Sequence, residues 1–136
     1  MFIDLENHPF LRELFKSETR DELLTPEEGF IIGNMFFNLY HPYKHYKPRK
    51  ITPKNEQEAL KLKIQELSFA VNDLVLYLDL YPEDQRCLKV YKDCLNELRK
   101  ECNLYSEKYE PLMVEEDLKE GFNWIKSPWP WEGKHV

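Results

Sequence analysis

Two stretches of this chain carry a heptad stripe of apolar residues, and a Tyr-Pro-Glu-Asp turn joins them. Between Asn55 and Leu80 the stripe is Leu60, Ile64, Leu67, Val71, Leu74 and Leu78, at spacings of four, three, four, three and four. From about Glu83 to Tyr109 it is Leu88, Tyr91, Leu95, Leu98, Cys102, Tyr105 and Tyr109, at spacings of three, four, three, four, three and four. Alternating threes and fours keep one helix face turned toward a partner. Tyr81-Pro82 ends the first helix, because a residue before Pro disfavours the α region. Pro82, Glu83 and Asp84 then suit the first turn of the second. Each helix spans about 26 residues, hence roughly 39 Å. Equal lengths and a short turn predict an antiparallel hairpin with a shallow crossing. The expected fold class is all-α: a long two-helix hairpin, an irregular, short-helical N-terminal segment and an extended Trp-Pro C-terminal tail.

A single hairpin cannot hide so much apolar surface. Val75 widens the first stripe, and Phe69, Leu76 and Tyr77 stand off it, so more than one packing partner is expected. Flanking segments or a second copy of the chain must cover the rest. Composition agrees with an elongated helical protein. Hydrophobic residues make up 42% and charged residues 32% of 136 residues, and mean hydropathy is −0.67. The net charge of −6 argues against whole-protein binding to nucleic acid. No run approaches the roughly 20 apolar residues of a membrane span. The opening MFIDLENHPF has neither a basic nor an apolar signal region, so synthesis in the cytoplasm is expected.

The chain divides near Lys47-Pro48-Arg49-Lys50-Ile51-Thr52-Pro53, giving residues 1–53 as an aromatic docking segment and 54–136 as the hairpin with its tail. In the first part, His8-Pro9-Phe10-Leu11 with Leu14 and Phe15 suggests a short amphipathic helix. Thr25-Pro26-Glu27-Glu28 reads as a helix start, with Thr as cap, Pro next and Glu at the third position. Gly33-Asn34 ends that helix. Asn55 with Glu58 is a second capping pair. At the far end, Ser127-Pro128-Trp129-Pro130-Trp131-Glu132-Gly133 is a stiff extended strip carrying two large rings. Such rings seek burial, so the strip is expected to dock on its own helices or on another protein.

Chemistry-bearing residues are sparse. His41 and His45 have helical metal-ligand spacing, but Pro42 between them argues for a loop. Glu132 and His135 form an ExxH string of the kind helical di-metal carboxylate sites use, yet Gly133 and the prolines argue against a helix. Glu66 and Asp73 lie off the apolar stripe and read as solvated-face residues. No nucleophile elbow, phosphate loop or Cys-His pair is found. The expectation is no enzyme, no metal and no cofactor. Cys87, Cys94 and Cys102 project from similar sides of one helix, roughly 10 Å apart, too far for an internal bridge. They read as small apolar residues beside the stripe, or as donors of intermolecular disulfides after assembly. Residues 29–55 lack any Asp or Glu and interleave Lys44, Lys47, Arg49, Lys50 and Lys54 with Tyr40, Tyr43 and Tyr46. Such a strip can stack on single-stranded nucleic acid. Without a nucleic-acid fold motif, and in an acidic chain, a docking linker that meets an acidic partner is the favoured reading.

The residues Phe69, Leu74, Leu76-Tyr77-Leu78-Asp79, Pro82, Asp84, Tyr91, Glu107-Lys108-Tyr109, Pro111-Leu112, Trp124 and the closing PWPWE occur in an order that resembles the spore coat protein CotJB. Glu110 stands where that family usually has Gly. Residues 25–43, with Pro26-Glu27, Gly33, Phe36, Leu39-Tyr40 and Pro42-Tyr43, resemble the end of its small companion CotJA. The resemblance implies a non-catalytic component of the bacterial endospore coat, made in the mother cell. Its implied partners are other coat proteins, a manganese-catalase-type CotJ component among them. Phe36, Tyr40, Tyr43, Trp124, Trp129 and Trp131 are then the expected partner-docking rings. The alternative from another class is a cytoplasmic RNA- or protein-binding helical adaptor.

Overall fold

The computed structural model describes residues 23–37, 44, 48–114, 121, 122 and 125. Three helices order them: α1 (Pro26–Ile32), α2 (Glu56–Leu80) and α3 (Gln85–Lys108). The architecture is all-α among the described residues. Leu23 and Phe36 form an isolated antiparallel bridge.

Each helix begins where its capping chemistry directs. The Thr25 hydroxyl accepts from the Glu28 N–H at 3.3 Å, and the Glu28 carboxylate accepts from the Thr25 N–H at 3.0 Å. Together they satisfy two of the orphan donors of the first turn. Gly33 closes α1 in the left-handed region, φ 88°, which costs a glycine nothing. Asn55 caps α2 by accepting from the Glu58 N–H at 2.8 Å. The third helix departs from expectation. Pro82 and Glu83 belong to the turn, and Asp84 is the cap, accepting from the Cys87 N–H at 3.0 Å. A carboxylate one residue before the helix satisfies that N–H directly, so α3 starts at Gln85.

The long helices pack antiparallel. Gln57 donates to the Tyr105 hydroxyl oxygen at 3.0 Å, and Lys63 pairs with Glu97 at 3.1 Å. Lys108 closes the open end on Glu56 at 2.6 Å. These exposed ion pairs mark register rather than supply stability. The interior does the holding. Leu67, Ala70, Leu74, Cys87 and Cys94 form one buried cluster, together with Met35 and Phe36 from the N-terminal segment. Ile64, Cys102 and Tyr105 form a second cluster nearer the open end, flanked by Leu60, Leu98 and Leu112. Leu67 and Leu74 are wholly buried, and each stabilises the fold by about 1.5–3 kcal/mol.

On α3 the buried stripe is centred on Cys87, Cys94, Cys102 and Tyr105, while Leu88, Tyr91, Leu95 and Leu98 flank it half-buried. The cysteines are therefore the middle of the seam rather than its border. On α2 the buried set Ile64, Glu66, Leu67, Ala70 and Leu74 is wider than a heptad seam, with Leu60, Val71 and Leu78 half-buried around it. The extra width has a cause: α2 serves two neighbours, α3 on one side and the α1 segment on the other.

Candidate functional site

The α1 segment is a capped loop seated on α2. Its two flanks are tied together, since Leu24 N–H donates to the Met35 carbonyl at 2.9 Å. Met35, entirely buried, lies beneath α1. A Cβ on Gly29 would come to 2.5 Å of its sulfur, so a larger residue at position 29 would make the Met35 side chain shift. Asn34 Oδ1 accepts from the Phe36 N–H at 2.7 Å, an Asx turn that directs the chain back along α2.

Three contacts fix this loop to the hairpin. The Met35 N–H donates to Asp73 Oδ2 at 2.8 Å. Phe36 stacks on Tyr77 with centroids 4.1 Å apart and ring planes 24° from parallel. Phe30 meets Phe69 edge-on at 6.0 Å. Tyr77 then links the loop to the turn: its ring lies 4.8 Å from Tyr81, and its hydroxyl donates to Asp84 Oδ2 at 3.2 Å. Asp84 thus caps α3 and ties it to α2. The Cys87 N–H, then the Tyr77 hydroxyl, hold its carboxyl below the usual range.

The expected solvated roles of Glu66 and Asp73 are corrected. Asp73 binds the loop backbone, and Glu66 is 8% exposed. Burial pushes the Glu66 carboxyl up, and Glu27 adds to the effect; Lys63 and Lys50 oppose it. Both lysines are engaged elsewhere, Lys50 with Glu27 at 2.9 Å and Lys63 with Glu97. Helix periodicity alone missed these residues because it assigns every off-stripe position to solvent. Their common spacing of seven, Glu66 to Asp73, is the signal of a second packed face.

Phe36, expected to dock a partner, is 7% exposed. It is used inside its own chain, against Tyr77. Tyr40, Tyr43, Trp124, Trp129 and Trp131 lie outside the described residues, as does the expected helix at His8–Phe15. Among the described residues, no group of three or more His, Cys, Asp or Glu is arranged to hold a metal. Burial shields two of the thiols, Cys87 and Cys94. Desolvation, with Asp84 nearby, raises Cys87 to about 11, and burial raises Cys94 as well.

This is the geometry of a packed scaffold, and its hairpin coincides with a known family. Residues 57–132 match the model of the CotJB protein. The chain belongs to the CotJB family. The match spans both long helices, the turn and the Trp-Pro strip, and it starts after α1. No curated protein and no solved structure matches the chain. CotJB proteins are components of the bacterial spore coat and are generally non-catalytic, so the coat is where this CotJB chain belongs and coat proteins are its partners. No helix among the described residues is long and apolar enough to cross a membrane.

Proposed function

We propose that this chain is a non-catalytic assembly element of the endospore coat, made in the mother-cell cytoplasm, that recruits or positions a manganese-catalase-type coat protein. The observation that carries the reading is the family match over the hairpin and Trp-Pro strip. The interior supports it. Apart from Glu66, the buried residues of the hairpin are aliphatic side chains, cysteines and Tyr105, the composition of a rigid spacer rather than of a reactive centre. Residues 1–53 act as a CotJA-like docking segment. Lys50 of the basic window is already engaged with Glu27, which favours meeting acidic protein surface over binding nucleic acid.

The test is a pull-down from sporulating cells with the tagged full chain, with recovered proteins identified. A manganese-catalase-type coat protein should be recovered by the wild type and lost on truncation after Lys126 or on Trp129→Ala with Trp131→Ala. Losing one interface Trp often costs about 2 kcal/mol or more. Wild-type recovery by both variants would remove the tail from the docking role. Failure to recover any coat protein with the intact chain would remove the recruiting function itself.

A further inference from the structure

The outward stripe of α2 is polar at Lys61, Gln65 and Asn72, as solvent requires. Near the hairpin turn it changes character. Leu76 is 65% exposed, Leu80 75% and Tyr81 56%. Leu76 and Leu80 are one helical turn apart on one face, and Tyr81 follows at the helix end. Two exposed acids, Asp79 and Glu83, border them. Neither forms an ion pair among the described residues, unlike Glu27, Glu56, Glu97 and Glu110. An apolar patch rimmed by unpaired acids fits a partner segment that is apolar and basic.

This chain contains one. Residues 40–50 interleave Tyr40, Tyr43 and Tyr46 with Lys44, Lys47, Arg49 and Lys50, without an acid. Lys44 and Arg49 are exposed and form no ion pair among the described residues. We infer that the Leu76-Leu80-Tyr81 patch receives the basic aromatic segment of a second copy of this chain. The rings cover the leucines, and Lys44 and Arg49 face Asp79 and Glu83. The two surfaces differ, so the contact is head-to-tail. Such a contact closes as a reciprocal dimer or a ring where the geometry between copies allows, and repeats along a filament where it does not. Three side chains fall short of the roughly 800 Å² per partner of a standard interface. The charges therefore carry much of the contact, which makes it weak alone and sensitive to salt. This inference does not depend on the identity of any other coat protein.

Sedimentation velocity on the purified full chain tests it. Wild type should associate beyond the monomer as concentration rises, and added salt should reverse the association. Leu76→Ser with Leu80→Ser should weaken association at least about tenfold. All four substituted acids and bases are exposed, so Asp79→Lys with Glu83→Lys, and separately Lys44→Glu with Arg49→Glu, should do the same while helicity by circular dichroism is kept. Mixing the two charge-reversed proteins should restore association, since each then offers the complement of the other. A wild type that stays monomeric overturns the inference. So does a leucine variant that associates like wild type, or a mixture that associates no better than its components.

Discussion

Asp73→Ala removes one carboxylate from a helix surface, and the outcome separates two descriptions of that residue. If Asp73 were a solvated side chain, the change would fall within about 0.5 kcal/mol of neutral. The structure instead has it accepting from the N–H of Met35, a residue with no exposed surface, across 38 positions of sequence and at 2.8 Å. Without the acceptor, that N–H is buried and unsatisfied, which costs about 1–3 kcal/mol. Alanine returns roughly 0.5 kcal/mol in helix propensity. The net expectation is a loss of about 0.5–2.5 kcal/mol. Asp73→Asn keeps an acceptor oxygen and gives up only the charge, so it should lose about half as much. Urea unfolding followed by far-ultraviolet circular dichroism measures both, with the denaturant slope checking that the transition stays two-state. Amide exchange localises the effect: Met35 and Leu24 should lose protection before the helices do. An alanine variant as stable as wild type, with Met35 still protected, would refute the loop-to-hairpin bond.

Glu66 gives a pH signature. Its folded carboxyl is raised above the ordinary 4.5, mainly by burial, so it favours folding fully below that value and loses this contribution as pH rises through the folded pKa. Glu66→Gln should therefore raise the melting temperature at pH 7, and the gain should vanish in acid; a gain that is independent of pH would mean Glu66 is not titrating in the interior. The cysteines give a reactivity signature. With a pKa of about 11, Cys87 holds at pH 8 about a hundredfold less thiolate than a thiol at 9, so iodoacetamide should label Cys87 and Cys94 in native protein only as fast as the hairpin opens, and rapid native labelling of both would contradict their burial.

The local signals of the chain translated directly into structure. Thr25-Pro26-Glu28, Asn55-Glu58, Gly33 and the Tyr81-Pro82 break depend on neighbouring residues only, and hydrogen bonds within three or four positions realise them. The hairpin followed from two stripes of similar length. The rest depends on contacts distant in sequence. The stripe expected on α3 runs through Leu88, Tyr91, Leu95 and Leu98 to Cys102 and Tyr105; the last two are buried, but the helix is rotated so that Cys87 and Cys94 face inward in place of the leucines. Glu66 and Asp73 became interior because a loop of the same chain lies over them. Phe69 and Tyr77 were rightly read as surface for a second neighbour, whereas Leu76, grouped with them, points away from both and stays exposed.

The family match begins at Gln57, and the buried face formed by Ala70, Glu66 and Tyr77 owes its cover to residues before it. A hairpin of residues 57–132 alone would present to water the ring of Tyr77 and the side of Leu74 and Ala70 that Met35 and Phe36 now occupy. Exposing that surface forfeits about 25 cal/mol for each Å² of apolar area. It would also leave Glu66 hydrated and Asp73 without its backbone donor. In this chain the N-terminal segment supplies the cover from within the same polypeptide. The cover makes two of the acids of α2 part of the interior and leaves Asp79 and Glu83, beside Leu76 and Leu80, as the acids still open near the turn. The α1 segment thus assigns the faces of α2: one to α3, one to itself, and the last, with Leu76 and Leu80, to the exposed surface.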